Sequence, residues 1–185
     1  MNKNIFFASC LFVTFLIVGG CQDIDTSQTA STEETEITAS EKEIAQKAIT
    51  ARIDEIIAGA NNLDVEAAVQ PYSTDPEFKI VNSDGSVSDL ETMKRVQEEG
   101  FNSLASMNFK TIKQDFTFLA KDLVMCTWTG SNEFELKTGE KLKIEPYVGS
   151  LLFRNENNEW KIIYTHETAA PAVLAEEESQ KAELE

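Results

Sequence analysis

The sequence predicts a domain of the α+β class, with helices first and an antiparallel sheet after them. Two observations lead to this expectation. In the first half of the chain, apolar residues recur at the spacing of helices, and capping signals precede two of these runs. After Met107, four strand-like runs follow one another, separated by short breaks of turn-forming residues. Helices and strands segregated along the chain in this way are typical of α+β domains.

The first helix is predicted to begin at a capping box formed by Ser40 and Glu43. Gly59 and the asparagines at 61 and 62 weaken the helix and mark its end. Between these limits, apolar residues at helical spacing form one stripe that should face the core. The stripe consists of Ile44, Ala48, Ile49, Ile53, Ile56, Ile57 and Ala60.

A second, short helix is expected over Val65–Gln70, because Pro71 cannot continue a helix. The following stretch, "FKIVNSDGSVSD", contains a strand, a turn at Asp84–Gly85 and a short return strand. A two-stranded hairpin is therefore predicted between the second and third helices.

The third helix is predicted to begin at a second capping box, formed by Ser88 and Glu91. Its apolar positions are Leu90, Met93, Val96, Phe101 and Leu104. The four strands of the meander are expected at about 109–119, 123–136, 141–153 and 159–167. Their connections, "AKD", "KTGE" and "NENN", are short enough for antiparallel neighbours.

The N-terminus reads as a secretory signal peptide. Residues 5–18 are apolar but fall short of the roughly 20 residues of a membrane-spanning helix, and Lys3 precedes them. The end of this run, Val18-Gly19-Gly20-Cys21, resembles the bacterial lipobox, in which cleavage occurs just before a cysteine that receives acyl chains. By this resemblance residues 1–20 are removed and Cys21 is lipidated, which would anchor the protein to a membrane. The alternative is an ordinary signal peptide followed by a chance cysteine.

Beyond the leader, Cys126 is the one cysteine left besides Cys21, so no internal disulfide is expected within the domain. Cys126 lies in an apolar stretch and is interpreted as a small buried hydrophobe rather than a nucleophile. No glycine-rich phosphate loop is present, and a single histidine with scattered carboxylates does not make a metal site. The sequence therefore predicts neither a cofactor nor a bound metal.

The segments on either side of the domain are polar. Residues 21–39 are rich in Thr, Ser and Glu and are expected to form a flexible tether, whereas the acidic residues 172–185 are expected to form a loosely attached tail. The folded domain should therefore span residues 40–171. A formal net charge of −16 argues against binding to nucleic acid or to anionic lipid surfaces, so the lipid must supply the anchor.

Two stretches resemble the nuclear transport factor 2-like superfamily, which includes ketosteroid isomerases and SnoaL-like polyketide cyclases. "IAGANNLDVEAAVQPYSTDPEF" is similar to the usual passage from the first helix through the second, and "NENNEWKIIYTHETA" is similar to the usual last hairpin. The resemblance covers about residues 41–169. It implies a cone-shaped, curved antiparallel sheet packed on three N-terminal helices, with a pocket at the open end. It also implies a homodimer paired through the sheet.

The same resemblance can be tested for isomerase chemistry, which in that family requires an Asp base, an acid and a Tyr, as the ketosteroid isomerases illustrate. The base position falls on Ile80, the acid position on about Gly149, and the Tyr position on about Asp54. Ile80 cannot accept a proton and Gly149 has no side chain to donate one. Isomerase chemistry at these positions is therefore not expected.

His166 is the only histidine and is the first candidate for a functional group. Strand alternation puts it on the same face as Trp160, Ile162 and Tyr164, and this face is expected to point inward. His166 could act as a general base or bind a ligand, with Glu145 as its candidate carboxylate partner; Glu135 is a second possible partner. The alternative is a structural histidine that caps the core.

Tyr72, Trp128 and Tyr147 are candidate ligand contacts, because aromatic rings with polar tips suit a small-molecule pocket. They would suit a core or a dimer face equally well. The sequence therefore favours a lipid-anchored domain, without catalytic activity, that binds a small, largely apolar molecule or a partner protein. The alternatives are a small isomerase, cyclase or hydrolase that uses His166, and a structural dimer with a filled cone. The residue after Cys21 is Gln22 and not Asp. In a Gram-negative cell this resembles lipoproteins that are sorted to the outer membrane or cell surface rather than kept in the inner membrane.

Overall fold

The computed structural model describes residues 37–175 of the 185-residue chain. The predicted signal peptide, the lipid site at Cys21, most of the tether and the end of the tail lie outside the described residues. Within these residues there are three helices, α1 (Ala39–Asn61), α2 (Val65–Val69) and α3 (Leu90–Phe101). The seven strands of the described residues are β1 (Lys79–Val81), β2 (Val87–Ser88), β3 (Leu104–Ala120), β4 (Leu123–Leu136), β5 (Lys141–Glu156), β6 (Glu159–Ala169) and β7 (Val173–Leu174).

Helix α1 begins at a different capping box from the predicted one. The backbone N–H of Glu41 donates to Thr38 Oγ1 at 3.2 Å, and the N–H of Thr38 donates to Glu41 Oε2 at 3.0 Å. The predicted pair, Ser40–Glu43, has the same spacing as the observed pair, Thr38–Glu41. Because the observed cap lies two residues earlier, the helix is two residues longer than predicted. Glu41 also forms an ion pair with Lys121 at 2.6 Å, which ties this end of α1 to the β3–β4 turn.

The buried stripe of α1 also differs from the prediction at its first member. Ile49 and Ile53 are almost completely buried, and Ala45 continues their line four residues earlier. Ile44 is 67% exposed, because one residue of helical rotation carries it away from that line. The expectation that Ile44 belongs to the core face is therefore wrong.

Helix α2 packs closely against the end of α1. Asp64 caps α2 by accepting a hydrogen bond from the N–H of Ala67 at 3.1 Å. At Gly59 of α1, a Cβ atom would lie well inside van der Waals contact with the backbone of Ala68. Glycine at this position therefore permits the close approach of the two helices.

Helix α3 is capped by Asp89, which accepts from the N–H of Thr92 at 2.8 Å, rather than by Ser88. Ser88 is the last residue of β2 and pairs with Ile80 of β1, so its backbone is already in a strand. Leu104 is likewise the first residue of β3 and not the end of α3. The predicted hairpin and third helix are present, with these shifts at their boundaries.

The sheet has the order β2-β1-β6-β5-β4-β3, in which β3 to β6 form the predicted antiparallel meander. Strand β1 joins β6 in parallel, and β7 pairs with β5. The α+β class and the curved sheet on N-terminal helices are therefore confirmed. Strand β7 lies in the segment expected to be a loosely attached tail, so that tail is paired with β5 at its beginning.

A bulge in β6 decides which residues of this strand face the helices. Leu152 of β5 pairs with Tyr164, but the next residue of β5, Phe153, pairs with Ile162, which leaves Ile163 as an extra residue. Such a bulge reverses the alternation of side chains beyond it. Further register shifts occur in the β3–β4 and β4–β5 pairs, and together they favour the curvature of the sheet.

The core lies between the concave face of the sheet and the helices. Its largest fully buried side chains include Phe78, Phe153, Ile49 and Ile162. Cys126 is also fully buried, and burial raises the pKa of its thiol to about 12, consistent with the predicted role of a small hydrophobe. The core cluster lies within residues 45–162. Among the described residues, no helix has the length and apolar composition needed to cross a membrane.

Candidate functional site

A cavity of about 740 Å³ lies between α1, α3, the β1–β2 hairpin and the concave face of the sheet. Its volume is in the range of small-molecule sites. Isoleucine side chains of α1, Met93 of α3 and Leu151 of β5 provide apolar parts of the wall. All of its lining residues lie between residues 53 and 167, so a chain that begins at Gln22 contains the complete core and cavity.

One row of the sheet gives the cavity its polar feature. Trp128 of β4 pairs with Gly149 of β5, and Gly149 pairs with Glu167 of β6. Directly paired residues point to the same face, and neighbouring strands are about 4.8 Å apart, so the Cα atoms of Trp128 and Glu167 are separated by about 10 Å. Because Gly149 has no side chain, the row has a gap at its centre. We call this gap, bounded by Trp128 and Glu167, the Gly149 notch.

Glu167 is half-buried, and its carboxyl group lies in this notch. The hydroxyl of Tyr147 donates a hydrogen bond to Glu167 Oε2. Burial raises the pKa of Glu167, and the hydrogen bond from Tyr147 opposes part of that rise. Burial, followed by the negative charge of Glu167, raises the pKa values of Tyr72 and Tyr147. Neither lysine nor arginine is among the described residues that line the cavity, so Glu167 has no cationic partner there.

The rings of Phe109, Trp128 and Tyr147 form an aromatic cluster next to the notch. Phe109 stacks on Trp128 with ring centroids 5.3 Å apart, and Tyr147 meets both rings edge to face at 5.3 Å and 6.2 Å. Trp128 Nε1 donates to Thr111 Oγ1 at 2.9 Å, which fixes the indole. The cluster holds its rings in the orientations that aromatic pairs prefer.

Two amide side chains on the wall present oxygen atoms without partners. Asn132 is 6% exposed, and its Oδ1 accepts no hydrogen bond within the described part of the chain. The same is true of Oε1 of Gln97 on α3. Buried carbonyl oxygens are usually hydrogen-bonded, so these two atoms are exceptions; both are fully buried, and the cavity does not reach them.

The structure puts three of the sequence candidates at the cavity. Tyr72, Trp128 and Tyr147 all line it, and contact with a ligand stays a prediction for each of them. Their positions come from different elements: Tyr72 follows α2, Trp128 belongs to β4, and Tyr147 belongs to β5. The side chains brought together here are therefore distant in sequence.

His166 does not line the cavity, and the prediction that its face points inward is wrong. The bulge at Ile163 reverses the alternation of β6, so Thr165 is buried, Glu167 lines the cavity, and His166 is exposed. Glu145 is exposed and pairs with Lys143 at 3.0 Å.

Glu135 is also outside the cavity, where its carboxylate lies 4.0 Å from the amine of Lys141. The predicted combination of His166 with Glu145 or Glu135 is therefore not formed in the cavity. No group of three His, Cys, Asp or Glu side chains among residues 37–175 could hold a metal ion.

Sequence reasoning missed Glu167, which lies next to the chosen histidine. A signal was present, because Ile162 and Ile163 are two adjacent large apolar residues that interrupt the alternation of the strand. The isomerase positions can also be located. Ile80 and Gly149 line the cavity, whereas Asp54 is exposed on α1. A carboxyl group is thus absent at Gly149 but present directly across the strand pair, at Glu167.

Replacing Glu167 with glutamine should change how stability depends on pH. In the folded protein the pKa of Glu167 is raised above its ordinary value of 4.5, so the folded state binds a proton more tightly than the unfolded state. This carboxyl therefore makes the wild type less stable as the pH rises through the window between 4.5 and the raised pKa. Near pH 4 the free energy of unfolding of Glu167→Gln should differ from that of the wild type only by a constant amount. Above pH 4 the variant should become progressively more stable relative to the wild type. Urea unfolding at a series of pH values measures this difference.

The matched control for this experiment is Glu133→Gln, because Glu133 is exposed on β4. It removes the same negative charge outside the cavity, so it reports how the loss of one surface charge changes the curve. Parallel curves for Glu167→Gln and the wild type would contradict the raised pKa.

Residues 49–172 match the sequence profile of the SnoaL-like domain family. No curated protein matches the sequence. The fold is similar to that of a protein from Novosphingobium aromaticivorans named after scytalone dehydratase, with a TM-score of 0.67, 6% identity, and coverage of 74% of this chain and 91% of the other. The hexachlorocyclohexane dehydrochlorinase LinA-type3 from Novosphingobium barchaimii is similar with a TM-score of 0.64 and 8% identity, over 74% of this chain and 94% of the other.

A protein of the nuclear transport factor 2-like family from Streptomyces avermitilis is also similar, with a TM-score of 0.60, 15% identity, and coverage of 69% of this chain and 97% of the other. At these identities the solved structures show the fold alone. A SnoaL-like domain on this fold supports a ligand-binding or small isomerase-like role. The helices and curved sheet have the nuclear transport factor 2-like fold of these structures, and because the profile covers more than half of the chain, the protein belongs to the SnoaL-like domain family.

Proposed function

We propose that this protein is a lipid-anchored binding protein of the bacterial cell envelope, whose SnoaL-like domain holds a small, largely apolar molecule. The observation that carries the proposal is the cavity of about 740 Å³, whose isoleucine, methionine and aromatic walls are joined by polar side chains, mainly at the β1–β2 hairpin and at Glu167. Tyr72, Trp128 and Tyr147 are the proposed ligand contacts.

The proposed role is binding without catalysis. Support comes from the two cavity positions that resemble the base and acid of ketosteroid isomerases, which carry Ile80 and Gly149 here. Neither side chain can transfer a proton. His166, the base of the enzyme considered in the sequence analysis, is exposed and therefore not available in the cavity.

The proposed anchor is the acylated Cys21, and the proposed location is the outer membrane or cell surface if the organism is Gram-negative. The similarity of Val18-Gly19-Gly20-Cys21 to a lipobox supports the anchor, and Gln22 supports the location. The polar segment after Cys21 would hold the domain away from the membrane. A homodimer paired through the sheet is part of the same proposal, and light scattering on residues 22–185 tests it.

Native mass spectrometry on gently purified residues 22–185 tests the binding function. A reproducible extra mass of a few hundred daltons is expected. As a control, the same measurement under denaturing conditions should give the mass of the chain alone. If the protein carries no extra mass and binds no member of a library of small apolar molecules, the proposed function is wrong.

Replacing Cys21 with alanine tests the anchor. The variant is expected to leave the membrane fraction or to remain as an uncleaved precursor, because it lacks the sulfur that carries the acyl chain and the residue that marks the cleavage site. Cys126→Ala is the matched control and should fractionate with membranes like the wild type. A Cys21→Ala protein that stays in the membrane fraction at the mature mass would contradict the lipobox interpretation.

A second candidate function is proton transfer by Glu167, favoured by its raised pKa and its hydrogen bond from Tyr147. A carboxyl group of this kind could exchange protons next to a carbonyl. The test is deuterium incorporation into cyclic ketones in D₂O, followed by NMR, with the wild type and Glu167→Gln compared. Exchange by the wild type that is lost in the variant would favour the enzyme over the binding protein.

A further inference from the structure

The Gly149 notch combines a negative group with aromatic rings. Glu167 forms one side of the notch, and Trp128 forms the other. Tyr147 donates to Glu167, and its ring contacts that of Trp128 edge to face. The strand pairing puts Glu167 and Trp128 on either side of Gly149, and the nearest side chain to the position of a Cβ at Gly149 is that of Leu151, at 3.6 Å.

The charge of this space is unbalanced. Glu167 is paired with a neutral hydroxyl, and no lysine or arginine lines the described cavity. The other ionisable groups at the cavity are Tyr147 from β5, Tyr72 after α2, and Asp84 in the β1–β2 turn, none of which can supply a positive charge. A carboxylate that is largely removed from water usually has a cationic partner or strong donors, so a ligand with a positive charge would complete this site.

The groups at the notch point to the kind of cation. Ionised Glu167 can only accept hydrogen bonds, so a ligand at the notch would need to bring N–H donors. The ring of Tyr147, whose hydroxyl reaches Glu167, also attracts cations.

We propose that the cavity binds a small molecule with an apolar body and a protonated amine, and that the ammonium group sits in the Gly149 notch against Glu167. This inference rests on the proposed function, because it specifies the ligand of the same cavity. The apolar body would occupy the space between α1, α3 and Leu151, and the acidic Asp84 stands at the hairpin that borders the cavity. The net charge of −16 would further favour the approach of a cation over that of an anion.

Three probes with the same phenylbutyl body test the inference by isothermal titration calorimetry on residues 22–185. They are 4-phenylbutylamine, which is cationic, 4-phenylbutanol, which is neutral, and 5-phenylpentanoate, which is anionic. At pH 8 the amine should bind at least about tenfold more tightly than the alcohol, since hydrogen bonds to charged groups are the stronger ones. The pentanoate should bind most weakly.

Glu167→Gln should remove the advantage of the amine and leave the affinity for the alcohol within about twofold, because the amide keeps the shape of the carboxyl group without its charge. Glu145→Gln is the matched control, since Glu145 is exposed outside the cavity, and it should bind all three probes like the wild type. The affinity of the wild type for the amine should also fall as the pH is lowered and Glu167 becomes protonated.

The outcomes separate this inference from the proposed function. If the wild type binds the alcohol as tightly as the amine, or if the amine keeps its advantage in Glu167→Gln, the ammonium site is wrong while the binding function stands. Tighter binding of the pentanoate would overturn the inference in the same way. If none of the three probes binds, the inference is overturned; the binding function falls with it only if native mass spectrometry finds no bound molecule and no member of the library of small apolar molecules binds. The comparison of probes on the wild type does not depend on whether any variant folds.

Discussion

Replacing Ile49 with alanine is expected to lower the free energy of unfolding by about 2–5 kcal/mol, the range for removing a large aliphatic side chain from a packed core. Ile49 has 0% exposure and lies in the middle of α1, where it packs in the core formed by the helices and the sheet. The change removes buried apolar surface and leaves a cavity that rigid neighbours cannot fill. Urea or thermal unfolding followed by circular dichroism measures the loss.

Ile44→Ala is a matched control on the same helix. Ile44 is 67% exposed, so the same substitution removes little buried surface. Alanine also has a higher helix propensity than isoleucine, and we expect a change within about 0.5 kcal/mol, on the stabilising side. Equal losses for the two variants would contradict the observed orientation of α1 and would restore the stripe predicted from the sequence.

Replacing Gly130 with alanine is expected to destabilise the protein by about 1–3 kcal/mol, the usual cost of overpacking a tight site. A Cβ atom at Gly130 would overlap the indole of Trp128 on one side and the carbonyl oxygen of Lys110 on the other. The indole could move, but the oxygen belongs to the backbone of β3 and cannot move without disturbing the strand pair. A displaced Trp128 should also change the tryptophan emission of the folded protein.

Gly149→Ala is the control for this experiment, because Gly149 is also a glycine in a central strand. A Cβ there would meet only the side chain of Leu151, at 3.6 Å, which is an ordinary contact distance. This variant should be neutral or more stable by about 0.4–1 kcal/mol, since alanine restricts the unfolded chain. A large loss for Gly149→Ala with none for Gly130→Ala would contradict the packing described for β4.

The broad pattern of the fold could be predicted because it depends on local rules. The spacing of Ile49 and Ile53 specifies a helix with one buried face, and the breaks "AKD", "KTGE" and "NENN" specify short connections between antiparallel strands. Boundaries were less certain where two signals competed. Thr38 and Ser40 begin equally good capping boxes, and the contact between Glu41 and Lys121, which favours the first, joins residues far apart in the sequence.

The candidate site could be predicted only in part. Trp128 and Tyr147 line the cavity, and the alternation of side chains is regular over residues 124–130 of β4 and 147–153 of β5, which indicates the inner face there. Tyr72 follows α2 and also lines the cavity. In β6, the extra residue Ile163 shifts the register by one and exchanges the faces of His166 and Glu167. Counting alternate residues from Trp160 therefore selects the wrong member of this adjacent pair.

The sequence by itself determined the α+β class, the order of the helices and strands, and the inert character of Cys126, because these follow from local spacing and composition. Only the tertiary structure decided that Glu167 rather than His166 faces the cavity, that Gly149 leaves a notch between Trp128 and Glu167, and that Ile44 stays outside the core. The physical reason is that the direction of a side chain depends on strand register and helix rotation. Both are fixed by contacts with neighbouring elements, which no short stretch of sequence contains.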